Sequence, residues 1–267
     1  MRSSSRILAL LVCWLLVSPV FGQQASSSTA PVVRDPQALA LIQKAIQGLG
    51  GISFYSQTNG VAAQGTLNAA AGAISGPIVW EWAGAEFRYQ RPGANGAVVF
   101  VSGHGNPALS DSGKVRRGIG HLAMVTFPIH LPAVALAASL NNPNVSISSI
   151  QSVSINGVNA LMISFVDQTD LLSSAICHQT WYFDPTTFVP FRVDYLTSDA
   201  NDALNTVQEY SLLSNYHNVS GVSVPFHIVT FFNGQQVEDV ALTSVQLGAS
   251  IPSTDFEPPV SVSGGAL

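Results

Sequence analysis

The chain has 267 residues, and ten basic residues against fifteen acidic ones give it a formal net charge of −5. An acidic chain whose only basic cluster is Arg116-Arg117 excludes nucleic acid as a partner. Charged residues make up 9% of the chain and hydrophobic residues 47%, whereas a typical globular chain carries about 25% charged residues. Small polar residues must therefore cover much of the surface, which is typical of an extracytoplasmic β protein and would also suit a protein with an apolar cavity.

The N-terminus reads as an export signal. Arg2 and Arg6 precede an apolar run, Ile7–Val17, and small residues follow up to Gly22. This order is typical of a cleavable secretory signal peptide spanning 1–22, with Ala25 as a second cleavage choice. An uncleaved N-terminal anchor is the alternative, although the run is shorter than the about 20 residues that span a bilayer. Cleavage would leave no transmembrane segment, eight basic residues and a net charge of −7, so we expect a periplasmic or secreted protein.

A tether and a helix follow the leader. Residues 23–33 are small and polar without periodicity, which predicts a disordered tether. Asp35 is the predicted N-cap of a helix, with Pro36 at its first position. Gly50-Gly51 end that helix. Its apolar residues recur at helical spacing and are Leu39, Ile42, Ala45, Ile46 and Leu49.

From Val61 onward the apolar period becomes two, which predicts β-strands. Turn residues separate the runs, and Asn156-Gly157 and Asn233-Gly234 are hairpin pairs. The predicted strands are 61–68, 76–83, 86–90, 97–102, 145–155, 158–166, 176–183, 190–196, 205–217, 222–232 and 235–247. Short, regularly spaced strands predict an antiparallel meander that curls into a barrel or half-barrel.

One stretch interrupts the strands. Residues 103–120 are rich in Gly and Ser, and we interpret them as a long loop. Residues 121–140 are apolar, but two prolines and two histidines argue against a membrane span. Ala133–Leu140 has a helix-forming composition and Pro132 suits a helix start. We therefore expect one or two short helices that pack on the strands.

The predicted fold class is mainly β with a few helices (α+β). We expect an unclosed antiparallel β-barrel, or half-barrel, of about 10–11 strands. The N-terminal helix and short helices would cover its concave face. The predicted organisation is one domain over 34–260, followed by a flexible tail over 261–267.

No catalytic motif stands out. The G-x-S-x-G nucleophile elbow is absent, and His104 in a Gly-rich loop is a weak match to an esterase oxyanion loop. The six histidines lack a spacing that puts two ligands on one face, so we expect no metal and no cofactor. Cys177, the lone cysteine after cleavage, is interpreted as a small buried hydrophobe. Any two of the fifteen carboxylates could meet in the fold. Six of them are interpreted as solvent-facing residues of strands and loops: Asp194, Asp199, Asp202, Glu209, Glu238 and Asp239.

The aromatic residues are more informative. Most fall on the apolar faces of the predicted strands, where core packing is the simplest interpretation of any single one. Because two or three short helices cannot fill the whole concave side of a half-barrel, some of these residues would border a groove. The candidate ligand-lining residues are Trp80, Trp82, Phe87, Phe100, Met124, Phe127, Phe165, Trp181, Phe183, Phe191 and Tyr210.

The stretch 181–195, WYFDPTTFVPFRVDY, resembles part of the LolA/LppX-like superfamily of periplasmic lipoprotein-carrier and lipid-binding proteins. The resemblance covers residues 181–259, and the N-terminal helix agrees with it. The matching positions are Phe183-Asp184, Thr186-Thr187, Val189-Pro190, Gly221–Pro225, Asp255-Phe256 and Pro258-Pro259. Phe188 stands where the family often has glycine, so the turn between the two strands is expected to differ in length or shape.

The resemblance implies an apolar interior that holds a lipid or an acyl chain, with a gate in residues 121–140. Burial would stabilise such a chain by about 0.8 kcal/mol per methylene group. Dedicated lipoprotein carriers also use a polar residue inside the cavity to mediate release. No motif identifies that residue here, and Arg88 and Arg91 are the two candidates.

Three functions remain open from the sequence. The first is a non-enzymatic periplasmic or secreted protein that binds a lipid or the acyl chain of a lipoprotein. The second is an interaction or sensing module with a filled core and an envelope protein as its partner. The third is an unrecognised hydrolase. A continuous groove beneath residues 121–140 would distinguish the first from the second.

Overall fold

The computed structural model describes residues 30–51, 60–69, 72–84, 86–103, 106–117, 128–169, 174, 177–198 and 206–258. Several expectations lie outside these residues. They concern the leader over 1–22, most of the tether, His104, Met124, Phe127 and the tail over 261–267.

The described ranges contain two α-helices, fourteen strands and two short 3-10 helices. The α-helices are α1 (Pro36–Gly48) and α2 (Pro132–Asn141), and the 3-10 helices are Pro128–His130 and Ser253–Phe256. The strands are β1 (Val61–Ala69), β2 (Ile74–Ala83), β3 (Glu86–Gly93), β4 (Gly96–Gly103), β5 (Asn106–Asp111), β6 (Lys114–Arg117), β7 (Val145–Ile147), β8 (Gln151–Ile155), β9 (Val158–Asp167), β10 (His178–Phe183), β11 (Pro190–Ser198), β12 (Thr206–Val219), β13 (Val222–Phe232) and β14 (Gln235–Leu247).

All strands join one antiparallel sheet, and neighbours in sequence pair almost throughout. The order is β6-β5-β4-β3-β2-β1-β14-β13-β12-β11-β10-β9-β7, with β8 also paired to β9. Within the described ranges the end strands β6 and β7 do not pair with each other, so the sheet stays open. The predicted unclosed half-barrel is confirmed, with more strands than expected.

The interpretation of residues 103–120 as a loop is wrong over the part that the structure describes. Strands β5 and β6 form a hairpin there, with Ser112 and Gly113 both at positive φ, 52° and 77°. Such a pair matches the two-residue turn that best fits strand twist. The sequence did not reveal this hairpin because both strands are short and β5 contains Pro107, and proline is unusual inside a sheet.

Helix α1 forms as its sequence predicts. The Asp35 side chain accepts a hydrogen bond from the Ala38 amide at 2.9 Å, which caps the first turn. Gly50 and Gly51 follow at φ values of 112° and 89° and end the helix. The Ser223 amide donates to the Leu49 carbonyl at 2.9 Å, which ties the end of α1 to β13.

Helix α2 begins at Pro132, as predicted, and is held at its other end by a residue far away in sequence. The Arg34 guanidinium donates to the carbonyls of Leu140 and Asn142, both at 2.6 Å. A cation at a helix C-terminus also interacts favourably with the helix dipole. The segment before α1 therefore fixes α2 against the sheet.

The main core lies between the sheet and the two helices, and we call the sheet face turned towards it the concave face. A second contact covers the opposite face, where Phe256 of the C-terminal 3-10 helix is 1% exposed. Strand alternation puts Gly103 on that opposite face, next to Phe256. The absence of a side chain at Gly103 allows this close approach.

The turn between β10 and β11 is built by Asp184. Its carboxylate accepts hydrogen bonds from the amides of Thr186 at 2.9 Å and Thr187 at 2.7 Å, as expected of an Asp at the first turn position. These backbone bonds hold the pKa of Asp184 below its usual range. Phe188 takes a positive φ of 60°, the conformation that glycine would supply, and Lys44 of α1 lies 5.3 Å from its ring centre.

Replacement of Gly103 tests the contact with Phe256. A Cβ atom at Gly103 would lie 2.3 Å from the Phe256 carbonyl oxygen, so Gly103→Ala should lower the free energy of unfolding by about 1–3 kcal/mol in urea denaturation. Gly48→Ala is the control, because its Cβ would approach no atom of the described residues closer than 3.8 Å. This replacement should stabilise the helix by about 0.5–1 kcal/mol. A Gly103→Ala protein with wild-type stability would contradict this packing.

A pair of variants at Phe188 isolates the strain of its backbone. Phe188→Ala and Phe188→Gly both remove the ring, but glycine alone tolerates the positive φ without a steric penalty. We expect the glycine variant to be more stable than the alanine variant by about 1 kcal/mol in the same assay. Equal stabilities would contradict the left-handed backbone at this turn.

Candidate functional site

The structure places most of the predicted lining residues on the concave face. They are buried there in one cluster with α1 and α2: Trp80, Trp82, Phe87, Phe165, Trp181 and Phe183. Trp82 is the most exposed of them at 8%, and Phe183 is fully buried. In the described conformation these rings therefore contact protein.

Three other candidates take different positions. Phe100 is half-buried on the concave face and stacks on Tyr89, with ring centres 6.0 Å apart. Phe191 lies in a bulge, because Phe183 pairs with Pro190 while Tyr182 pairs with Arg192. Tyr210 lies on the opposite face, which corrects its expected position.

Tyr210 belongs to a polar and aromatic cluster on the face away from the helices. The Arg192 guanidinium donates to both Asp194 oxygens, at 2.5 and 3.0 Å, and lies 3.9 Å from the Tyr210 ring centre. Tyr182 also donates to Asp194 at 3.1 Å, and burial raises the pKa of Tyr182 to about 12. Asp194 is only 9% exposed, so its interpretation as a solvent-facing residue is wrong.

A shallow cleft runs between the N-terminus of α2 and strands β13 and β14. Its cavity volume is about 10 Å³, which is room for about one water molecule. Apolar side chains dominate its walls. The lining residues are Leu131, Pro132, Ala133, Val134, Val222, Ser223, Val224 and Leu247.

Three packed rings form a buried polar cluster on the concave face, and one of them, His130, directly precedes Leu131 of the cleft wall. The His130 ring lies parallel to Trp80, with centres 4.5 Å apart, and Tyr89 meets Trp80 edge-on at 5.8 Å. Trp80 Nε1, Tyr89 Oη and His130 Nδ1 are buried and have no hydrogen-bond partner within the described part of the chain. Burial lowers the pKa of His130 to about 4, so its ring is neutral near neutral pH.

An ion pair adjoins the three rings. Arg91 Nε lies 3.5 Å from Glu238 Oε1, and about a quarter of each side chain is exposed, 24% and 25%. Burial raises the pKa of Glu238, and Arg91 opposes that rise. Burial raises the pKa of Tyr89, and the negative charge of the nearby Glu238 carboxylate raises it further. The Tyr89 hydroxyl and this carboxylate do not have the geometry of a hydrogen bond.

The two arginines proposed from sequence lie on opposite faces. Arg91 shares the concave face with Phe87 and Tyr89, whereas Arg88 pairs across strands with Glu81 on the other face, at 3.0 Å. Arg91 therefore remains the candidate polar residue of the interior, and Arg88 does not.

The polar groups continue across the concave face towards β11. Ser211 Oγ lies 3.1 Å from Thr230 Oγ1 and 3.2 Å from Tyr195 Oη. Glu209 pairs with Tyr195 on the neighbouring strand, and burial, with the charge of Glu238, raises the pKa of Glu209 to about 7. The interpretation of Glu209 and Glu238 as solvent-facing is therefore wrong.

Alternation could have revealed these positions. Glu238 has the same parity as Val240 and Leu242, which face the core, and Glu209 has the parity of Leu213. His130 gave no such signal, because it lies in a 3-10 helix whose contact with Trp80 depends on tertiary packing.

The arrangement suits recognition of an apolar molecule with a polar group. Among the described residues, no set of three or more His, Cys, Asp or Glu is placed to hold a metal ion. None of the helices described is long and apolar enough to cross a membrane. The site thus offers apolar rings, hydrogen-bonding groups and one ion pair.

An open antiparallel sheet with helices on its concave face defines the structural class, and solved structures give it a name. A LolA superfamily protein from Nitrosomonas europaea is similar over 82% of this chain and 97% of its own, with 12% identity and a TM-score of 0.51. A DUF1329 family protein from Desulfovibrio piger is similar over 82% of this chain and 97% of its own, with 12% identity and a TM-score of 0.49. Lipoprotein LppX of Mycobacterium tuberculosis is similar over 82% of this chain and 99% of its own, with 9% identity and a TM-score of 0.31.

The chain has the LolA-like fold, as the sequence resemblance implied. No protein-family profile matches it. No curated protein matches it either.

The pH dependence of stability tests the burial of Glu209. In the folded protein Glu209 has a pKa of about 7, which lies above its usual value of 4.5. The contribution of Glu209 to stability is therefore fully present below about pH 4.5 and is lost as the pH rises through about 7. We expect this loss to be on the order of 1–2 kcal/mol between about pH 4 and pH 8. Glu209→Gln should remove it from denaturation curves, whereas Glu257→Gln at an exposed position should not. An unchanged pH profile in Glu209→Gln would contradict this account.

Proposed function

We propose that this protein is a non-enzymatic lipid-binding protein of the periplasm or the secreted space. It would hold a lipid, an acyl chain or another elongated apolar ligand between the concave face and the helices. The observation that carries this proposal is the apolar cleft at α2, which lies on the same concave face as the buried aromatic rings.

The composition of α2 supports this assignment. The helix presents Ala133, Ala135 and Ala137 among its buried residues, and small side chains bury little apolar area against the sheet. Displacing such a helix removes fewer contacts than displacing a leucine-rich one. The cavity volume of the cleft is about 10 Å³, which is room for about one water molecule, so binding a whole acyl chain requires α2 to move.

The fold supports the same class of function by analogy. The sequence resemblance implies lipid or lipoprotein carriage, and the LolA-like fold is the scaffold on which that implication rests. The half-buried ion pair of Arg91 with Glu238 gives the concave face one polar group suited to ligand release.

A second function is favoured by a different observation. The buried rings of the concave face already pack against α1 and α2 as a filled core. On this alternative the protein is an envelope interaction or sensing module, and a partner protein binds its surface.

Ligand uptake distinguishes the two functions. Delipidated protein should bind a fluorescent long-chain fatty acid or a neutral apolar probe in the micromolar range. Ala133→Phe, which fills the cleft, should weaken binding about tenfold, the effect of about 1.4 kcal/mol. Ala138→Phe, in the same helix but outside the cleft, is the control and should bind normally. No uptake at micromolar ligand would favour the interaction module.

Trp181→Ala tests whether the rings of the concave face meet the ligand. It should also weaken uptake, because the Trp181 ring forms part of that face. Since Trp181 is 1% exposed, circular dichroism must show that the variant is folded. Full uptake by the folded variant would exclude Trp181 from the ligand site.

A further inference from the structure

We propose that the cluster of Trp80, Tyr89 and His130 binds the neutral carbonyl group of an acyl ester. The inference rests on the proposed function and adds a ligand class to it. The preferred ligand would be an esterified acyl chain, rather than a free fatty acid or a hydrocarbon.

The first argument is that hydrogen-bonding groups are concentrated without partners. Trp80 is 4% exposed, yet its Nε1 atom has no partner among the described residues, and the same holds for Tyr89 Oη and His130 Nδ1. Buried polar groups in native proteins are nearly always paired. Trp80 contacts both other rings, and its N–H lies close enough to Tyr89 to influence the pKa of Tyr89 without the geometry of a hydrogen bond. Three such groups therefore point to a ligand group at this place.

The second argument is the position of the cluster beside the cleft. His130 directly precedes Leu131, which lines the cleft. On the sheet, Trp80 pairs with Ala63, and Ala63 pairs with Val245. Val245 stands two residues before Leu247, another residue of the cleft wall. An acyl chain in the cleft would thus bring its polar end near the three rings.

The third argument is the chemistry of the groups. An indole N–H only donates, so the ligand must carry an acceptor for Trp80. Arg91 is the cation beside the cluster, and it already pairs with Glu238. A carboxylate ligand would therefore meet a like charge without a free counter-ion among the described residues. A neutral acceptor fits better, and an ester carbonyl is such an acceptor on an apolar chain.

Competition among three ligands with one chain length tests the inference. Hexadecane, methyl palmitate and palmitate would each displace a neutral fluorescent probe from delipidated protein, at a pH above the palmitate pKa. We expect methyl palmitate to bind about tenfold more tightly than hexadecane, as one gained hydrogen bond would give. Palmitate should bind less tightly than its ester.

Matched variants assign the preference to the cluster. Trp80→Phe keeps a stacking ring but removes the N–H, and Tyr89→Phe removes the hydroxyl. Each should reduce the ester preference, measured as the ratio of ester affinity to hexadecane affinity in the same variant, to about threefold or less. Tyr182→Phe is the control, because the Tyr182 hydroxyl lies on the opposite face and already donates to Asp194 at 3.1 Å. If the Trp80→Phe variant does not fold, the ester preference of the Tyr89→Phe variant alone tests the inference.

Each contrary result has its own meaning. Equal binding of ester and hexadecane by the wild-type protein would overturn the inference, and so would tighter binding of palmitate. An ester preference that survives in both ring variants would also overturn it. Binding of none of the three ligands would overturn the proposed function itself.

Discussion

The contact between one open sheet and two helices is the constraint on which the rest of the structure depends. An unclosed sheet leaves its concave face to be covered, and α1 and α2 provide that cover within the described residues. Helix α1 is fixed at one end by Asp35 and at the other by Ser223. Helix α2 is fixed at its C-terminus by Arg34, while its N-terminus borders the cleft. The cover is therefore anchored at three of its four helix ends, and the remaining end, the N-terminus of α2, borders the cleft.

Polar residues on the concave face lower the stability of the folded protein, so their presence there needs an explanation. A core selected for stability alone would place apolar side chains at positions such as Glu209, Glu238 and Tyr89, since burial of polar groups is costly. These residues are not scattered. They form a strip that crosses the sheet from β3 through β14 to β11. A strip of this kind is consistent with a function that requires polarity inside an apolar face.

The sequence predicts what depends on local pattern and misses what depends on the packing of distant segments. Asp35, Pro36 and Gly50 set the bounds of α1 because capping is local, and Asp184 builds its turn for the same reason. The hairpin of β5 and β6 was missed because short strands carry little periodicity. The stacking of His130 on Trp80 joins residues fifty positions apart in sequence, and no local pattern encodes it.

The two sides of the concave face differ in how far their polar groups are satisfied. On the side of β10 to β13, Trp181 bonds to Gln179, and Ser211 links Tyr195 to Thr230. On the side of β2 and β3, the indole and phenol groups of the ring cluster have no such partners within the described ranges. These groups on the first side are thus paired within the protein, whereas the second side retains unused hydrogen-bonding capacity on the concave face. A ligand that inserts its chain at α2 would gain hydrogen bonds by turning its polar group towards β2 and β3.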